Sequence, residues 1–183
     1  QVLRVNAGAT DVEWGSAGGF ALAGSNLVEA SNTVSVSADL ISVTGLNIPA
    51  ATPIIIEFVM RKTSGAAVQP AFGLKLNATV LAGSATTELV CFSATDRAEV
   101  AFVRMYIPPR VTNYLRAAIA YHTAVVVSDG TIVSATLSQN RDSIAKDADA
   151  PTAAITDVVI RGRSNSASVT LAVDELKVYT MPV

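Results

Sequence analysis

Between Ser168 and Thr180 the chain reads SVTLAVDELKVYT, and apolar and polar residues alternate there with a period of two. That period belongs to a β-strand with one face in a core. Val169, Leu171 and Val173 share one face, whereas Leu176 and Val178 carry the apolar set in the opposite phase. Asp174-Glu175 must therefore absorb a one-residue slip, which a β-bulge does. Ile155 to Arg161 is a further strand, and GRSNS at 162–166 has the turn residues to fold one onto the other as a closing hairpin.

The same alternation recurs upstream. Val34, Val36, Ala38 and Leu40 alternate, and the phase shifts at Ile41 and Val43 before Gly45 and Pro49 end the element. Ile54, Ile56, Phe58 and Met60 form one apolar face, and Phe72, Leu74, Leu76, Ala78 and Val80 form another, so these two strands are expected to be neighbours in one sheet. TELVCFS at 87–93 suits an interior strand, and AEVAFVRMYI at 98–107 is apolar on both faces and ends at Pro108-Pro109. LRAAIAYHTA contains good helix formers. It runs, however, into VVV and then Ser128-Asp129-Gly130-Thr131, and Asp-Gly between apolar runs marks a hairpin into Ile132–Leu137. The pattern predicts an all-β chain, an antiparallel β-sandwich of jelly-roll kind with eight to ten strands over residues 33–183.

Residues 1–32 differ: Gly and Ala are frequent, and GSAGG at 15–19 has linker composition. This stretch is expected to be an extended N-terminal arm, with two short strands around Asn6-Ala7-Gly8 and an oligomer contact made by Val2, Leu3, Val5, Val12 and Trp14. The chain begins with Gln1, the expected mark of a processing boundary. Half of the residues are hydrophobic and 15% are charged, a surplus suited to subunit contacts. The net charge is −2 and like charges never run beyond two, which argues against nucleic acid as a partner. No apolar run approaches the ~20 residues of a membrane-spanning helix.

Reaction chemistry has few carriers. His122 is the single histidine and has no triad or zinc signature around it. Cys91 lies in the apolar LVCF and reads as a small buried hydrophobe. Glu57, Glu88, Glu99, Asp157, Asp174 and Glu175 fall in or near strands, where a glycosidase pair would have to be found, but they read better as surface and ladder carboxylates. Asp142, Asp147 and Asp149 share a polar loop without the spacing of a calcium loop. Asn77-Ala78-Thr79 is a glycosylation sequon inside an expected strand, and Arg161 and Arg163 straddle Gly162, where they could hold an acidic sugar. The chain is thus expected to be non-catalytic and to need no cofactor or metal. Loops 62–70, 108–113 and 139–151, with Arg61, Lys62, Arg110, Asn113, Arg141 and Asp142, are the expected ligand-facing positions.

Two stretches carry a family resemblance. Val2, Leu3, Val5, Asn6, Gly8, Thr10, Glu13, Trp14, Gly18 and Gly19 resemble a unit of bacteriophage tail-fibre and related virion proteins, which often has a second Gly where this chain has Ala9. Asp174, Glu175, Leu176, Lys177, Val178 and Tyr179 resemble the last strand of concanavalin-like and laminin-G-like jelly rolls. The resemblance implies a structural virion protein of a tail or head fibre. Such a protein is a homotrimer on the particle surface, contacts other virion proteins and attaches to a host surface, glycan included. A capsid decoration protein, a carbohydrate-binding module of a secreted enzyme and a sandwich glycosidase or lyase are the alternatives.

Overall fold

The structure is a computed structural model. It describes the backbone of residues 2–5, 12–15, 19–33, 35–80, 92, 94, 96–109, 115–126, 132–136, 143–146 and 153–181, and the side chains of 19–33, 35–79, 92, 94, 96–109 and 153–181. Among the described residues every regular element is a strand: β1 (Val2–Val5), β2 (Val12–Gly15), β3 (Ala21–Asn26), β4 (Ala30–Asn32), β5 (Ala38–Val43), β6 (Ile54–Lys62), β7 (Ala71–Leu76), β8 (Thr79–Val80), β9 (Ala98–Ile107), β10 (Leu115–Val126), β11 (Ile132–Thr136), β12 (Ser143–Lys146), β13 (Val158–Arg163) and β14 (Leu171–Thr180). Over residues 33–183 the described strands are ten, β5 to β14, within the expected eight to ten, and β1 to β4 lie in the stretch that composition set apart as an arm.

Two antiparallel sheets face each other. The larger runs β11-β10-β9-β6-β14-β3, with β12 laid end to end with β11 along β10, and β4 end to end with β3 along β14. The smaller runs β5-β13-β7-β8. Alternation decides which side chains lie between them. Ile54, Ile56, Phe58 and Met60 of β6, Val103, Met105 and Ile107 of β9, and Leu171, Val173, Leu176 and Val178 of β14 are buried against Ile41 and Val43, Val158 and Ile160, and Phe72, Leu74 and Leu76. Phe58 and Phe72 join the two layers edge to face, with ring centroids 5.5 Å apart. This is the sandwich that the strand periods predict.

The slip at Asp174-Glu175 is present. Val173 pairs with Met60 and Glu175 with Val59, so Asp174 is the extra residue of a bulge. The phase shift before Ile41 is a second bulge, with Leu40 passed over as Ile160 pairs with Ile41 and Arg161 with Asp39. Three expectations about pairing are corrected. β13 and β14 form no hairpin, since Arg163 ends a strand of the small sheet and Leu171 begins one of the large sheet. The turn between them instead crosses the layers, with Asn165 at a φ of 64°. β6 and β7 likewise lie in different sheets. The strand expected over Phe72 to Val80 breaks into a hairpin at Asn77-Ala78, where Asn77 has a φ of 53°.

The sandwich takes in residues from Ala21 onward, the last part of the stretch that composition set apart as an arm. β3 fits there because Gly24 has no side chain: a Cβ would meet Val43 Cγ1 at 2.6 Å and Leu46 Cδ2 at 2.9 Å. The register of β3 on β14 ends with Ala21 opposite Thr180. β1 and β2 pair as a separate ribbon, Leu3 opposite Trp14 and Val5 opposite Val12, as the two expected strands would. No helix among the described residues is long and apolar enough to cross a membrane.

Candidate functional site

The outer face of the large sheet is assembled in rows, because strand registers place every second residue side by side across β9, β6 and β14. One row runs Tyr106, Ile55, Tyr179 and then Leu22 of β3. The next is charged: Arg104, Glu57 and Lys177. The third is Phe102, Val59 and Glu175. A solvent-facing row is ordinarily polar, yet Phe102 is 53% and Tyr106 36% exposed.

The charges on this face are tied to one another. Arg104 Nε donates to Glu57 Oε1 at 2.6 Å, and Lys177 Nζ lies 2.7 Å from Glu175 Oε2. The bulge turns Asp174 toward Arg61, whose Nε donates to both carboxylate oxygens at 2.8 and 2.7 Å, and Glu29 accepts from Nη2 at 2.5 Å. The hydrogen bond to Asp174 holds the Arg61 guanidinium above its ordinary pKa, and the bond to Glu175 raises Lys177. Val59 is short beside Phe102, Arg104, Glu57 and Glu175, and these residues enclose a depression of about 370 Å³.

The outer face of the small sheet offers a second depression, of about 520 Å³, lined by Asp39, Thr44, Lys75, Asn77 and Asp157 among others. Asp39 accepts from Lys75 Nζ and from Arg161 Nε, each at 2.8 Å. The bond from Lys75, outweighing burial, holds the Asp39 carboxyl below the usual carboxylate value. Asn77 Nδ2 donates to the Ala154 carbonyl at 3.0 Å, and its Oδ1 accepts from the Thr156 and Asp157 amides at 2.8 and 3.2 Å. The sequon is therefore a structural hub in a turn. Arg161 is committed to Asp39 and the Ser37 carbonyl, so its own partners account for it without an acidic sugar.

The positions expected to face ligand separate. Arg61 stands on the outer face of β6 in its ion pairs. Lys62 is corrected: it is the last inward position of β6, 1% exposed, with Nζ 3.7 Å from Glu99 Oε1. Strand alternation sends it inside while Arg61 goes out. Arg110, Asn113, Arg141 and Asp142 lie outside the described residues, as do Cys91, Glu88, Asp147 and Asp149 and all of TELVCFS except Phe92, which is buried. The backbones of Val2, Leu3, Val5, Val12 and Trp14 are described and their side chains are not. His122 stands opposite Phe102 in the β10–β9 register, and its side chain too is outside the description.

Of the carboxylates considered for a glycosidase pair, Glu57 and Glu175 line the same depression, each already bridged to a cation, and Glu99 is buried against Lys62. Among the described residues no group of three or more His, Cys, Asp or Glu side chains could hold a metal ion. Sequence reasoning missed Phe102 and Tyr106. Their signal was present in AEVAFVRMYI, where one phase is Ala101, Val103, Met105 and Ile107 and the other sets two aromatic rings around Arg104.

No family model matches this chain, and no curated protein matches it in sequence. Among solved structures it is similar to a protein of unknown function from Shewanella oneidensis MR-1, at 11% identity and a TM-score of 0.37 over 83% of this chain and 67% of that one. It is also similar to a legume lectin-like domain from Entamoeba histolytica, at 12% identity and a TM-score of 0.34 over 89% of this chain and 84% of that one. The CBM2 module of the evolved Dit of Lactobacillus casei BL23 phage J-1 aligns at 9% identity and a TM-score of 0.31 over 84% of this chain and 76% of that one. At these identities and scores the likeness concerns the general arrangement of strands alone.

Proposed function

We propose that this chain is a non-catalytic attachment module of a bacteriophage virion fibre, a homotrimer at the particle surface that meets its host through the outer face of the large sheet. The observation that carries the reading is the row structure of that face. Two exposed aromatic rings stand on a rigid central strand, flanked by charges that are already paired. Such a surface is preorganised for contact, since little side-chain freedom is lost when a partner arrives. Carboxylates held in ion pairs suit recognition better than proton transfer.

Two further features support the fibre assignment. The tail-fibre-like unit spans Val2 to Gly19 and forms the β1–β2 ribbon. Along the β3–β4 edge, away from Phe102, the apolar residues Phe20, Leu22, Leu27 and Val28 are 55 to 73% exposed, and a second and third copy of the chain would cover them.

The test pairs solution mass with adsorption. Light scattering on residues 1–183 is expected to give a trimer, weakened in a chain that starts at Gly19, and the labelled trimer should adsorb to a subset of bacterial strains. A truncation at Ser31 is unsuitable because it removes β3. Monomers in both chains would overturn the trimer and favour a binding module of a secreted enzyme, and no adsorption to any strain would overturn the attachment role.

A further inference from the structure

The depression over Val59 has more chemistry than a generic contact surface. Phe102 forms one wall with a ring half exposed, which offers an apolar face. Arg104, whose side chain is 64% exposed, offers N–H donors, and Glu57 and Glu175 offer carboxylate acceptors within the same depression. Donor and acceptor stand 2.6 Å apart, so they address neighbouring groups on one ligand. The formal charges of Arg104, Glu57, Lys177 and Glu175 cancel, and no cation or anion of this group is left to demand a charged partner. The volume, about 370 Å³, falls in the ~300–1,000 Å³ range of small-molecule sites.

We infer that this depression is a subsite for a neutral oligosaccharide, a deepening that rests on the attachment reading. The ligand this chemistry fits has an apolar ring face, adjacent hydroxyls that both donate and accept, and no net charge. One sugar ring stacks on Phe102, and its hydroxyl edge bonds Arg104 and Glu57. Tyr106 lies four positions along the same strand, roughly 13 Å from Phe102 by strand rise, so a longer chain reaches it.

The experiment uses the full chain. A glycan array carrying neutral, sialylated and sulfated oligosaccharides is followed by calorimetric titration with the tightest neutral hit and with its disaccharide unit. Phe102→Ala is expected to weaken the neutral ligand about tenfold, the scale of one lost aromatic contact. Glu57→Gln weakens it as well, and Tyr106→Ala weakens the long chain but not the disaccharide. Lys75→Ala, on the opposite face, leaves both unchanged, and circular dichroism checks that each variant is folded. Affinity should change less than twofold between low and high salt, because paired charges face an uncharged ligand.

Preference for acidic glycans, or neutral binding that survives Phe102→Ala in a folded protein, would overturn the inference. Cell adsorption that depends on Phe102 with no glycan bound would also overturn it, while leaving the attachment reading intact with a protein receptor in its place. Loss of both array and cell binding would remove the two together.

Discussion

Lys62 and Glu99 provide the sharpest test of how this sandwich is held together. They are directly paired in the β6–β9 register, their side chains are 0% and 1% exposed, and Nζ lies 3.7 Å from Oε1. At that separation, with an effective dielectric constant near 20, the attraction is about 4 kcal/mol. Glu99→Ala leaves the ammonium inside without its carboxylate, and breaking a buried pair in this way costs about 3–5 kcal/mol. That is a large share of the ~5–15 kcal/mol that a domain has in total. With a urea slope of roughly 2–3 kcal/mol/M, the unfolding midpoint should fall by about 1.5 M. The double substitution Lys62→Met with Glu99→Leu keeps the volume and removes both charges, so it should lie within about 1 kcal/mol of the parent or above it. Urea unfolding followed by far-UV circular dichroism, with slopes compared between variants, reads all three proteins. A loss below about 1 kcal/mol for Glu99→Ala, or a double variant no better than the single one, would refute the reasoning.

Three further outcomes follow from the same coordinates. Gly65→Ala should cost about 2–3 kcal/mol and lower Tm by roughly 5–10 °C, because φ is +137° and the new Cβ would collide with the Ser168 carbonyl oxygen; an unchanged melting curve would contradict that approach. Asp39→Asn should destabilise modestly at pH 7. The Asp39 pKa is depressed in the folded state, so its contribution is present above the unfolded value near 3.9 and is lost as pH falls through the lower folded value; the gap between parent and variant should close below about pH 4, and a gap that widened there would reverse the assigned sign. A chain starting at Ser31 should melt well below one starting at Gly19, since it strips β3 from β14 and uncovers Val43 and Leu46; equal Tm values would show that β3 adds nothing to the sheet.

The strand periods made the sandwich legible because a two-residue alternation is a local property. The Asp174 and Leu40 bulges showed for the same reason: each inverts the apolar phase within a few residues, and the registers place an extra residue at both. Pairing partners were not legible. Val158–Arg163 and Leu171–Thr180 look like a hairpin because they are close in sequence, but the turn residues allow a crossing between layers as readily as a reversal within one. Asn77 was read as a strand residue since Leu76 and Ala78 keep the alternation going, and only its bonds to 154–157 explain the turn. Polarity pointed to loops for recognition, which passed over Phe102 and Tyr106, because a strand that is apolar on both faces is ordinarily buried on both. Lys62 was mistaken for a surface residue by its charge alone, whereas its position in the alternation is an inward one.

The pairing of Ala21 with Thr180 has a mechanical consequence. The chain enters the sandwich on β3 and leaves on β14, which run antiparallel side by side, so both exits emerge at the same end of one strand pair. A pulling force applied through those exits would load the ladder at its last hydrogen bond and open it one pair at a time, instead of shearing all the bonds at once. The module would be soft along that axis. Force arriving across the outer face, by contrast, is spread over β9, β6 and β14, each hydrogen-bonded on both edges, where no single pair can open first.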